Sequence, residues 1–229
     1  MSVTSQRTAV VRQVADLIAG CRRPGRVLHV GIDGVDGAGK TVLGDELGEV
    51  LRGQGIDVVR ASVDGFHHPA AVRYRQGRSS PRGFYEDSYD YAALRRELLD
   101  PLGENGSGRY RPAVFDVGRD VPVDVPRWVG EADAVLMLDG IFLHRPELSG
   151  AFDLTVFVRV PFEVSVPRGS ARDGGSADPA SKTVRRYVQG QRHYLALCRP
   201  EVVADVVLDN TDLAAPFIAR ANGAAARQV

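Results

Sequence analysis

A short apolar run leads directly into a glycine-rich octapeptide near the N-terminus of this chain. Residues 27–32 are rich in β-branched side chains, and the octapeptide Gly34-Val-Asp-Gly-Ala-Gly-Lys-Thr41 begins two residues later. It matches the pattern G-x-x-x-x-G-K-[ST] at every fixed position. Residues 43–51 then place their leucines on one helical face. A strand before the pattern and an amphipathic helix after it are the context that this motif requires, so the sequence predicts a nucleotide-phosphate site.

The octapeptide, called the phosphate loop below (residues 34–41), also predicts how a nucleotide is held. Its N–H groups would point at the phosphates, and the following helix would add its positive N-terminal end. Lys40 would reach the β- and γ-phosphates, while the Thr41 hydroxyl would hold Mg²⁺. Among 29 basic residues only Lys40 and Lys182 are lysines, and a compact point charge suits this position. The expected cofactors are ATP, or another nucleoside triphosphate, and Mg²⁺. The predicted cofactor-binding residues of the loop are Gly34, Val35, Asp36, Gly37, Ala38, Gly39, Lys40 and Thr41.

Length and charge favour one cytoplasmic domain. The 229 residues fit a single α/β domain that spans residues 1–229. The 29 Lys and Arg residues balance the 29 Asp and Glu residues. The chain therefore has no net charge that would attract nucleic acid or a membrane surface. Cys21 and Cys198 fall on apolar helical faces and are predicted to be buried free thiols. No run approaches the ~18 apolar residues of a membrane span. A homo-oligomer is left open.

Helical and strand patterns alternate along the chain. Residues 5–21 form the amphipathic part of an N-terminal helical segment, 1–24, and residues 181–198 predict a late helix. Residues 110–124 alternate apolar and polar side chains as extended segments do, and the polar, alanine-rich stretch from residue 214 onward predicts a tail or short helix. The predicted strands are residues 27–32, 57–63, 134–138, 154–160 and 202–208. This order predicts a three-layer α/β P-loop nucleoside-triphosphate-hydrolase fold, with a parallel sheet of about five strands, flanking helices and a small lid.

Three aspartates lie at or just beyond predicted strand ends, where open parallel sheets bind their ligands. Asp139 directly follows the apolar run 134–138, and with Thr41 it would hold Mg²⁺. Asp64 follows the second strand and is well placed to take the proton of a small alcohol. It could equally be a second metal ligand, and the sequence leaves both roles open. Asp90 lies near the start of a helix, close in sequence to the expected acceptor site.

Two arginine-rich segments are predicted to border this site. The basic segment (residues 67–85) contains no acidic residue, and it is either a solvated loop or an acceptor-site flap within an insert spanning residues 65–127. The lid segment (residues 163–186) carries basic groups on both sides of a glycine-rich break, which suggests a mobile lid whose Arg172 neutralises developing charge. Surface arginines on two ordinary helices are the alternative. The arginines of the basic segment are Arg73, Arg75, Arg78 and Arg82.

Six motifs taken together resemble one family. They are Gly31-Ile-Asp-Gly-Val-Asp-Gly-Ala-Gly-Lys-Thr41, Asp64-Gly-Phe-His67, Tyr89-Asp90-Tyr91, Leu138-Asp-Gly-Ile-Phe142, Arg168 with Arg172-Asp173, and Ala204-Asp-Val-Val-Leu-Asp-Asn210. Over about residues 27–210 the chain resembles the uridine kinase and phosphoribulokinase superfamily, and especially bacterial uridine kinase-like proteins.

The resemblance implies ATP-dependent phosphorylation of a primary hydroxyl on a small acceptor. Asp64 stands where the family has its catalytic aspartate, Asp90 matches the aspartate that holds a ribose diol, and Arg168 and Arg172 match lid arginines that contact the nucleotide. Three motifs depart from the family. His67 ends a motif that usually reads Asp-Ser-Phe-Tyr, Asp139-Gly140 replaces Glu-Gly, and Phe115-Asp116-Val117 replaces Tyr-Asp-Phe. The resemblance therefore supports the phosphoryl-transfer chemistry more strongly than it supports a preference for a particular nucleoside base. The predicted acceptor-site residues are Asp64, Phe66, His67, Asp90, Tyr110, Phe115, Asp116 and Gln191.

Several functions stay open at this level. The leading hypothesis is a kinase for the 5′-hydroxyl of a ribonucleoside such as uridine or cytidine. A pantothenate kinase or a phosphoribulokinase-like sugar-phosphate kinase is the alternative within the same chemistry, because the basic segment would suit an anionic acceptor. A P-loop ATPase or nucleotide-binding switch acting on a partner protein is the alternative from another class, although no N-K-x-D run for guanine recognition occurs. A catalytically inactive metabolite sensor is a further alternative.

Overall fold

The computed structural model describes residues 4–222. Its strands are of two kinds, longer ones that form a central sheet and two-residue ones that lie beside it. In chain order they are β1 (Leu28–Gly34), β2 (Val58–Ser62), β3 (Arg109–Tyr110), β4 (Phe115–Asp116), β5 (Val121–Pro122), β6 (Trp128–Val129), β7 (Val135–Gly140), β8 (Leu154–Arg159), β9 (Val206–Asp209) and β10 (Phe217–Ala221).

Helices connect these strands. A π-helical stretch, Arg95–Leu99, joins two short helices into one continuous element, and Val63–Phe66 and Pro146–Leu148 form 3-10 turns. In chain order the α-helices are α1 (Ser5–Gly20), α2 (Lys40–Gly53), α3 (Ala70–Arg73), α4 (Pro81–Asp87), α5 (Tyr91–Leu94), α6 (Asp100–Leu102), α7 (Phe162–Asp173), α8 (Arg185–Cys198) and α9 (Pro200–Val203).

The central sheet has the order β10-β9-β8-β1-β7-β2 within residues 4–222. From β2 to β9 the neighbouring strands pair in parallel, and β10 pairs antiparallel with β9. Because parallel strands end at the same edge, β1, β2 and β7 deliver Gly34, Asp64 and Asp139 to one side of the sheet. The predicted α/β P-loop fold is confirmed, and its five parallel strands carry a sixth, antiparallel strand at one edge.

Alternate side chains of the sheet face two separate cores, as the two-residue period of a strand requires. In β7, Val135 and Met137 pack with α1 and α2, while Leu136 and Leu138 pack with the helices between residues 81 and 102 and with α8. Helices therefore cover both faces of the sheet, and its edge at the carboxyl ends of the strands lies between these layers.

Helix α1 confirms the predicted amphipathic segment. Thr4 accepts a hydrogen bond from the Arg7 N–H and caps the helix, and the predicted apolar stripe is buried at Val11, Val14 and Ile18. Residues 1–3 of the predicted segment 1–24 lie outside the described residues. Cys21 and Cys198 are free thiols, as predicted, but they are only partly buried.

Two predictions near the C-terminus are wrong. The expected strand 202–208 begins later, because Pro200 starts the one-turn helix α9 and leaves Val202 and Val203 exposed before β9. The expected tail or short helix from residue 214 contains strand β10 instead. There Ile218 packs against the core, and Arg220 donates to the Ala204 carbonyl at 3.0 Å. Residues 223–229 lie outside the described residues.

The side element around residues 110–124 is extended, as predicted. Strand β3 pairs antiparallel with β6, and β4 pairs antiparallel with β5. The β4–β5 sheet lies beside the turn that follows β2, since the Val114 N–H donates to the Gly65 carbonyl at 2.8 Å, whereas β3 contacts the helical residues 95–102. Among the helices of residues 4–222, none has the length and apolar character that a membrane span requires.

Candidate active site

The phosphate loop turns tightly between β1 and α2. Gly37 and Gly39 adopt positive φ values of 73° and 90°, a conformation that glycine reaches without strain. A Cβ at Gly37 would lie 2.1 Å from the Ser165 carbonyl oxygen in α7, so only glycine lets the loop and this helix approach so closely. The loop is therefore packed against the first helix of the predicted lid segment.

A polar chain from α1 supports the same loop. Arg7 is buried and makes two hydrogen bonds of 2.8 and 2.7 Å to the Glu46 carboxylate. It also donates to Asn210 Oδ1 at 3.2 Å, and the Asn210 amide donates to the Ala38 carbonyl at 2.8 Å. The N-terminal helix therefore holds the loop through a side chain that follows β9.

Replacing Arg7 with methionine should lower the free energy of unfolding by about 1–3 kcal/mol, because Glu46 and Asn210 lose a buried donor. Chemical denaturation would measure the change. Arg12→Met is the matched control on the same helix, since Arg12 is exposed, and it should stay within about 0.5 kcal/mol of the native chain. Equal losses in the two variants would contradict a supporting role for Arg7.

Lys40 and Thr41 lie where the predicted chemistry needs them. Lys40 is buried, and its Nζ donates to the Val35 carbonyl at 2.9 Å, inside the loop. The Thr41 hydroxyl donates to Asp139 Oδ2 at 2.8 Å. A hydroxyl and a carboxylate are hard oxygen donors that fit Mg²⁺, which usually takes few protein ligands and keeps phosphates and waters for the rest. Within residues 4–222 there is no cluster of three or more His, Cys, Asp or Glu side chains that could form a separate metal cage.

Arg60 is a residue of this site that the sequence reasoning missed. Its Nη2 donates to Asp139 Oδ1 at 2.9 Å, so the two carboxylate oxygens of Asp139 are held by different partners. A Cβ at Gly44 would lie 2.6 Å from the Arg60 guanidinium, so glycine on α2 makes room for it. The signal in the sequence is a lone charged residue inside strand β2.

Asp64 lies in the 3-10 turn after β2 and is exposed. Tyr89, a second residue with no predicted role, donates its hydroxyl to Asp64 Oδ1 at 3.0 Å. Burial, followed by the charge of Asp64, raises the pKa of Tyr89 well above its usual value, so the phenol keeps its proton. The His67 ring packs on Tyr89 with centroids 4.4 Å apart, and burial lowers the pKa of His67. Tyr89 therefore orients one carboxylate oxygen of Asp64 and leaves the other free to contact an acceptor.

The predicted acceptor residues fall into two groups. The first comes together around Asp64, because the Asp90 N–H donates to the Phe66 carbonyl at 2.8 Å and strand β4 lies beside Gly65. In this group Phe66 and Phe115 are buried, and Asp116 accepts from the Gly118 and Arg119 N–H groups within its own turn. The second group lies elsewhere: Tyr110 packs in the core, and Gln191 contacts the phosphate loop.

Asp90 has a structural role that limits its availability. One carboxylate oxygen accepts from the Ala93 N–H at 2.8 Å and caps α5. Within residues 4–222, no hydrogen bond reaches the second oxygen. The helix cap and the predicted diol contact are therefore compatible, because each uses a different oxygen of the same carboxylate.

Helix α8 is held both to the phosphate loop and to the end of strand β1 that precedes it. The Gln191 amide accepts from the Asp36 N–H at 2.7 Å and donates to Asp36 Oδ2 at 3.0 Å. One turn later the Tyr194 hydroxyl donates to the fully buried Asp33, which also accepts from His144 Nδ1 at 2.6 Å. Burial, reinforced by Asp33, raises the pKa of Tyr194, so this phenol is a proton donor.

A cavity of about 400 Å³ lies between α7 and α8, next to the phosphate loop. Its apolar wall includes Phe162 and Val188, and its polar wall includes Asp36, Arg172 and Gln191. Burial raises the pKa of Asp36, while the charges of Lys40 and Arg172 act in the opposite direction. The cavity therefore joins the loop to the lid segment.

The two predicted lid arginines have different contacts. Arg172 is exposed and forms two 2.7 Å hydrogen bonds to its neighbour Asp173, and this contact, followed by the charges of Asp36 and Asp64, raises the pKa of Arg172. Arg168 donates to the carbonyls of Asn210 and Thr211 at 2.9 and 2.6 Å, in the loop after β9. The roles of both arginines toward a nucleotide stay predictions.

Acidic partners neutralise most of the basic segment. Arg73 pairs with Asp120 at 2.8 Å, Arg75 pairs with Asp87, and Arg82 pairs with Glu86. Arg78 lies over the Tyr74 ring, 4.4 Å from its centroid. From α8, the buried Arg186 donates to the carbonyls of Arg73 and Arg78 at 3.0 and 3.1 Å. The segment is therefore pinned to α8, and its arginines form a poor site for an anion.

Comparisons with known proteins agree with this geometry. No protein-family model matches the sequence, and a search of curated proteins finds no match. Among solved structures, a possible uridine kinase from Bacillus stearothermophilus is 26% identical, with a TM-score of 0.69, and the match covers 86% of this chain and 96% of that one. A candidate fructose transport system kinase from Silicibacter sp. TM1040 is 24% identical, with a TM-score of 0.64 and coverages of 82% and 93%. Phosphoribulokinase from Rhodobacter spheroides is 21% identical, with a TM-score of 0.53 and coverages of 81% and 70%.

The fold and the phosphate loop define a P-loop kinase of the kind that acts on small molecules. The structural neighbours are consistent with the uridine kinase and phosphoribulokinase superfamily, which confirms the resemblance predicted from the sequence.

Proposed function

We propose that this chain is an ATP-dependent kinase that transfers the γ-phosphate to a primary hydroxyl, most favourably the 5′-hydroxyl of a ribonucleoside such as uridine or cytidine. The position of Asp64, at the same edge of the sheet as the phosphate loop, carries the proposal. The Asp64 carboxylate is exposed just after strand β2, which neighbours β7 in the sheet. The Tyr89 hydroxyl donates to its Oδ1 at 3.0 Å. A plain ATPase would also need a group that positions the attacking water, so the acceptor screen below has to separate hydrolysis from transfer to an alcohol.

Phosphoryl transfer needs positioning, charge neutralisation and a proton acceptor. Asp64 would accept the proton of the acceptor hydroxyl as that oxygen attacks the γ-phosphorus, and ADP would leave. Lys40 would balance the charge of the transferred group, and Arg172 would reach the same charge from the lid segment. Mg²⁺, when bound at Thr41 and Asp139, would supply further neutralisation of the phosphates. Arg60 would keep the Asp139 carboxylate in one orientation.

The charge around Asp64 favours an uncharged acceptor. Three of the four arginines of the basic segment are already paired with carboxylates, so they are not free for a phosphorylated or carboxylated substrate. This observation speaks against the sugar-phosphate and pantothenate alternatives. The possible uridine kinase from Bacillus stearothermophilus is the neighbour in best agreement with a nucleoside acceptor.

An acceptor screen tests the proposal. ATP consumption would be followed with nucleosides, pantothenate, ribulose 5-phosphate and other sugar phosphates, each with Mg²⁺. Stimulation by a ribonucleoside is the expected result, with the 5′-monophosphate as product. Hydrolysis that is independent of any acceptor would favour the ATPase alternative, and turnover with only the anionic compounds would defeat the nucleoside assignment.

Asp90→Asn should raise the KM for the ribonucleoside while leaving the KM for ATP nearly unchanged. An ionised carboxylate offers acceptors to both ribose hydroxyls, whereas asparagine replaces one acceptor oxygen by a donor. The native enzyme should accordingly use 2′-deoxynucleosides poorly. Steady-state kinetics with paired ribo- and deoxynucleosides would measure both effects.

The helix cap provides the control for Asp90. Asparagine caps a helix about as well as aspartate, so Asp90→Asn should keep the melting temperature of the native chain. Asp90→Ala should lower the free energy of unfolding by about 0.5–2 kcal/mol. If Asp90→Asn left the KM for the ribonucleoside and the discrimination against deoxynucleosides unchanged, Asp90 would be only a cap.

A further inference from the structure

A carboxylate inside a phosphate-binding loop is unexpected, because the loop has to hold a polyanion. Asp36 is the third residue of the phosphate loop. Its Oδ2 accepts from the Gln191 amide at 3.0 Å, and within residues 4–222 no hydrogen bond reaches its Oδ1. Gln191 itself is buried, so this contact fixes the direction of the carboxylate.

The carboxylate lies among the groups that phosphoryl transfer would use. Asp36 and Arg172 line the same cavity between α7 and α8. The charge of Asp36 interacts with those of Lys40, Asp64 and Arg172, in addition to that of Asp173. Asp36 therefore lines the cavity between the phosphate loop and the lid segment, and its charge is felt at Lys40 and Asp64, the two groups between which the proposed transfer would occur.

A fixed negative charge at this position discriminates between acceptors. Two like charges about 6 Å apart repel each other. At an effective dielectric constant of about 20, this repulsion would disfavour an anionic acceptor roughly 100-fold relative to a neutral one. The neighbouring basic segment compensates little, because three of its four arginines are paired with Asp120, Asp87 and Glu86. An acceptor that carries a carboxylate or phosphate close to its reacting hydroxyl would meet two aspartates and few free cations.

We infer that Asp36 is a specificity-determining residue that excludes anionic acceptors and selects uncharged, hydroxyl-bearing ones. The inference rests on the proposed kinase function and adds to it the charge class of the acceptor and the residue that sets it. The free Oδ1 of Asp36 is an acceptor for a hydroxyl group of the substrate. Asp36 acts on the choice of substrate, while Asp64 stays the group that takes the proton.

Matched acceptor pairs that differ only in charge provide the test. Suitable pairs are pantothenol with pantothenate, glycerol with glycerate, and uridine with uridine 3′-phosphate. The ratio of kcat/KM for the neutral and the anionic member would be measured in the native chain and in Asp36→Asn. Equilibrium binding of the same compounds, with a non-hydrolysable ATP analogue present, gives a readout that does not depend on turnover.

Asparagine is isosteric with aspartate and can still accept from Gln191, so Asp36→Asn removes the charge and keeps the contact. The neutral-to-anionic ratio should fall by about 10- to 100-fold in this variant. Gln191→Leu breaks the contact and keeps the charge, and it should preserve the preference for the neutral member. Glu49→Gln removes an exposed charge from α2 and should leave the ratio unchanged.

The outcomes separate the inference from the proposed function. Turnover with neutral acceptors and an unchanged ratio in Asp36→Asn would overturn the inference and leave the kinase function standing. A native chain that prefers the anionic members would overturn it as well. If no acceptor were phosphorylated at all, the proposed function would fail, and the inference would fail with it.

Discussion

Replacing Lys40 with methionine is expected to lower kcat by about 10²- to 10³-fold or more, as removal of a single charge-stabilising donor does in other enzymes. Methionine keeps most of the unbranched, apolar stem of the buried side chain and removes only the ammonium group. That group donates to the Val35 carbonyl at 2.9 Å, inside the loop that would hold the phosphates. The loss should therefore appear in turnover and leave the melting temperature close to native.

The composition of the chain offers a matched control, because Lys182 is the other lysine. It is exposed, between α7 and α8, so Lys182→Met makes the same chemical change outside the phosphate loop. Its effect should stay within about 0.5 kcal/mol, as for most surface substitutions. Full turnover by Lys40→Met with the best acceptor would remove the central claim that the octapeptide is a working phosphate site.

The part of the site that local sequence patterns specify was predictable. The octapeptide lies between a strand and a helix, and its glycines, Lys40 and Thr41 are recognised from neighbours within a few residues. Asp64 and Asp139 follow apolar runs, and the rule that parallel strands end at one edge brings them together. The 2.8 Å hydrogen bond between Thr41 and Asp139 spans 98 residues of sequence, yet both partners were identified from their own surroundings.

The supporting contacts could not be predicted, because each depends on tertiary packing. Arg60 reaches Asp139 across 79 residues, and Gln191 reaches Asp36 across 155. No local sequence pattern around Arg60 or Gln191 indicates which residue its side chain contacts. Tyr89 belongs to a recognisable motif, but its role depends on the tertiary contact that places its hydroxyl 3.0 Å from Asp64.

The basic segment shows how composition can mislead. Its arginines suggested an anionic acceptor because residues 67–85 contain no acid. The acids that neutralise three of the four arginines come immediately after the segment, as Glu86 and Asp87, and from the distant turn at Asp120. Surface pairs of this kind contribute little to stability, but they still remove the free charge that an anionic substrate would need.

Asp64→Asn is expected to lower kcat by about 10²- to 10⁴-fold, the usual value of general-base assistance. Asparagine cannot accept the proton of the acceptor hydroxyl, but its carbonyl oxygen can still accept from Tyr89. The fold around the 3-10 turn should therefore persist. Because Asp64 lies outside the phosphate loop, ATP affinity should change little, which equilibrium binding of ATP would show.

The alternative role of Asp64 as a metal ligand predicts a different pattern. Loss of a ligand would raise the Mg²⁺ concentration needed for half-maximal activity and would weaken binding of the metal–nucleotide complex, whereas loss of a base would lower kcat at saturating Mg²⁺. Tyr89→Phe separates orientation from proton transfer, since it removes one hydrogen bond to a charged group and should cost about tenfold in kcat. A decrease in Tyr89→Phe as large as that in Asp64→Asn would mean that the carboxylate works mainly through its orientation. A loss in Asp64→Asn confined to the KM for ATP would assign Asp64 to nucleotide or metal binding and leave the proton of the acceptor to another group.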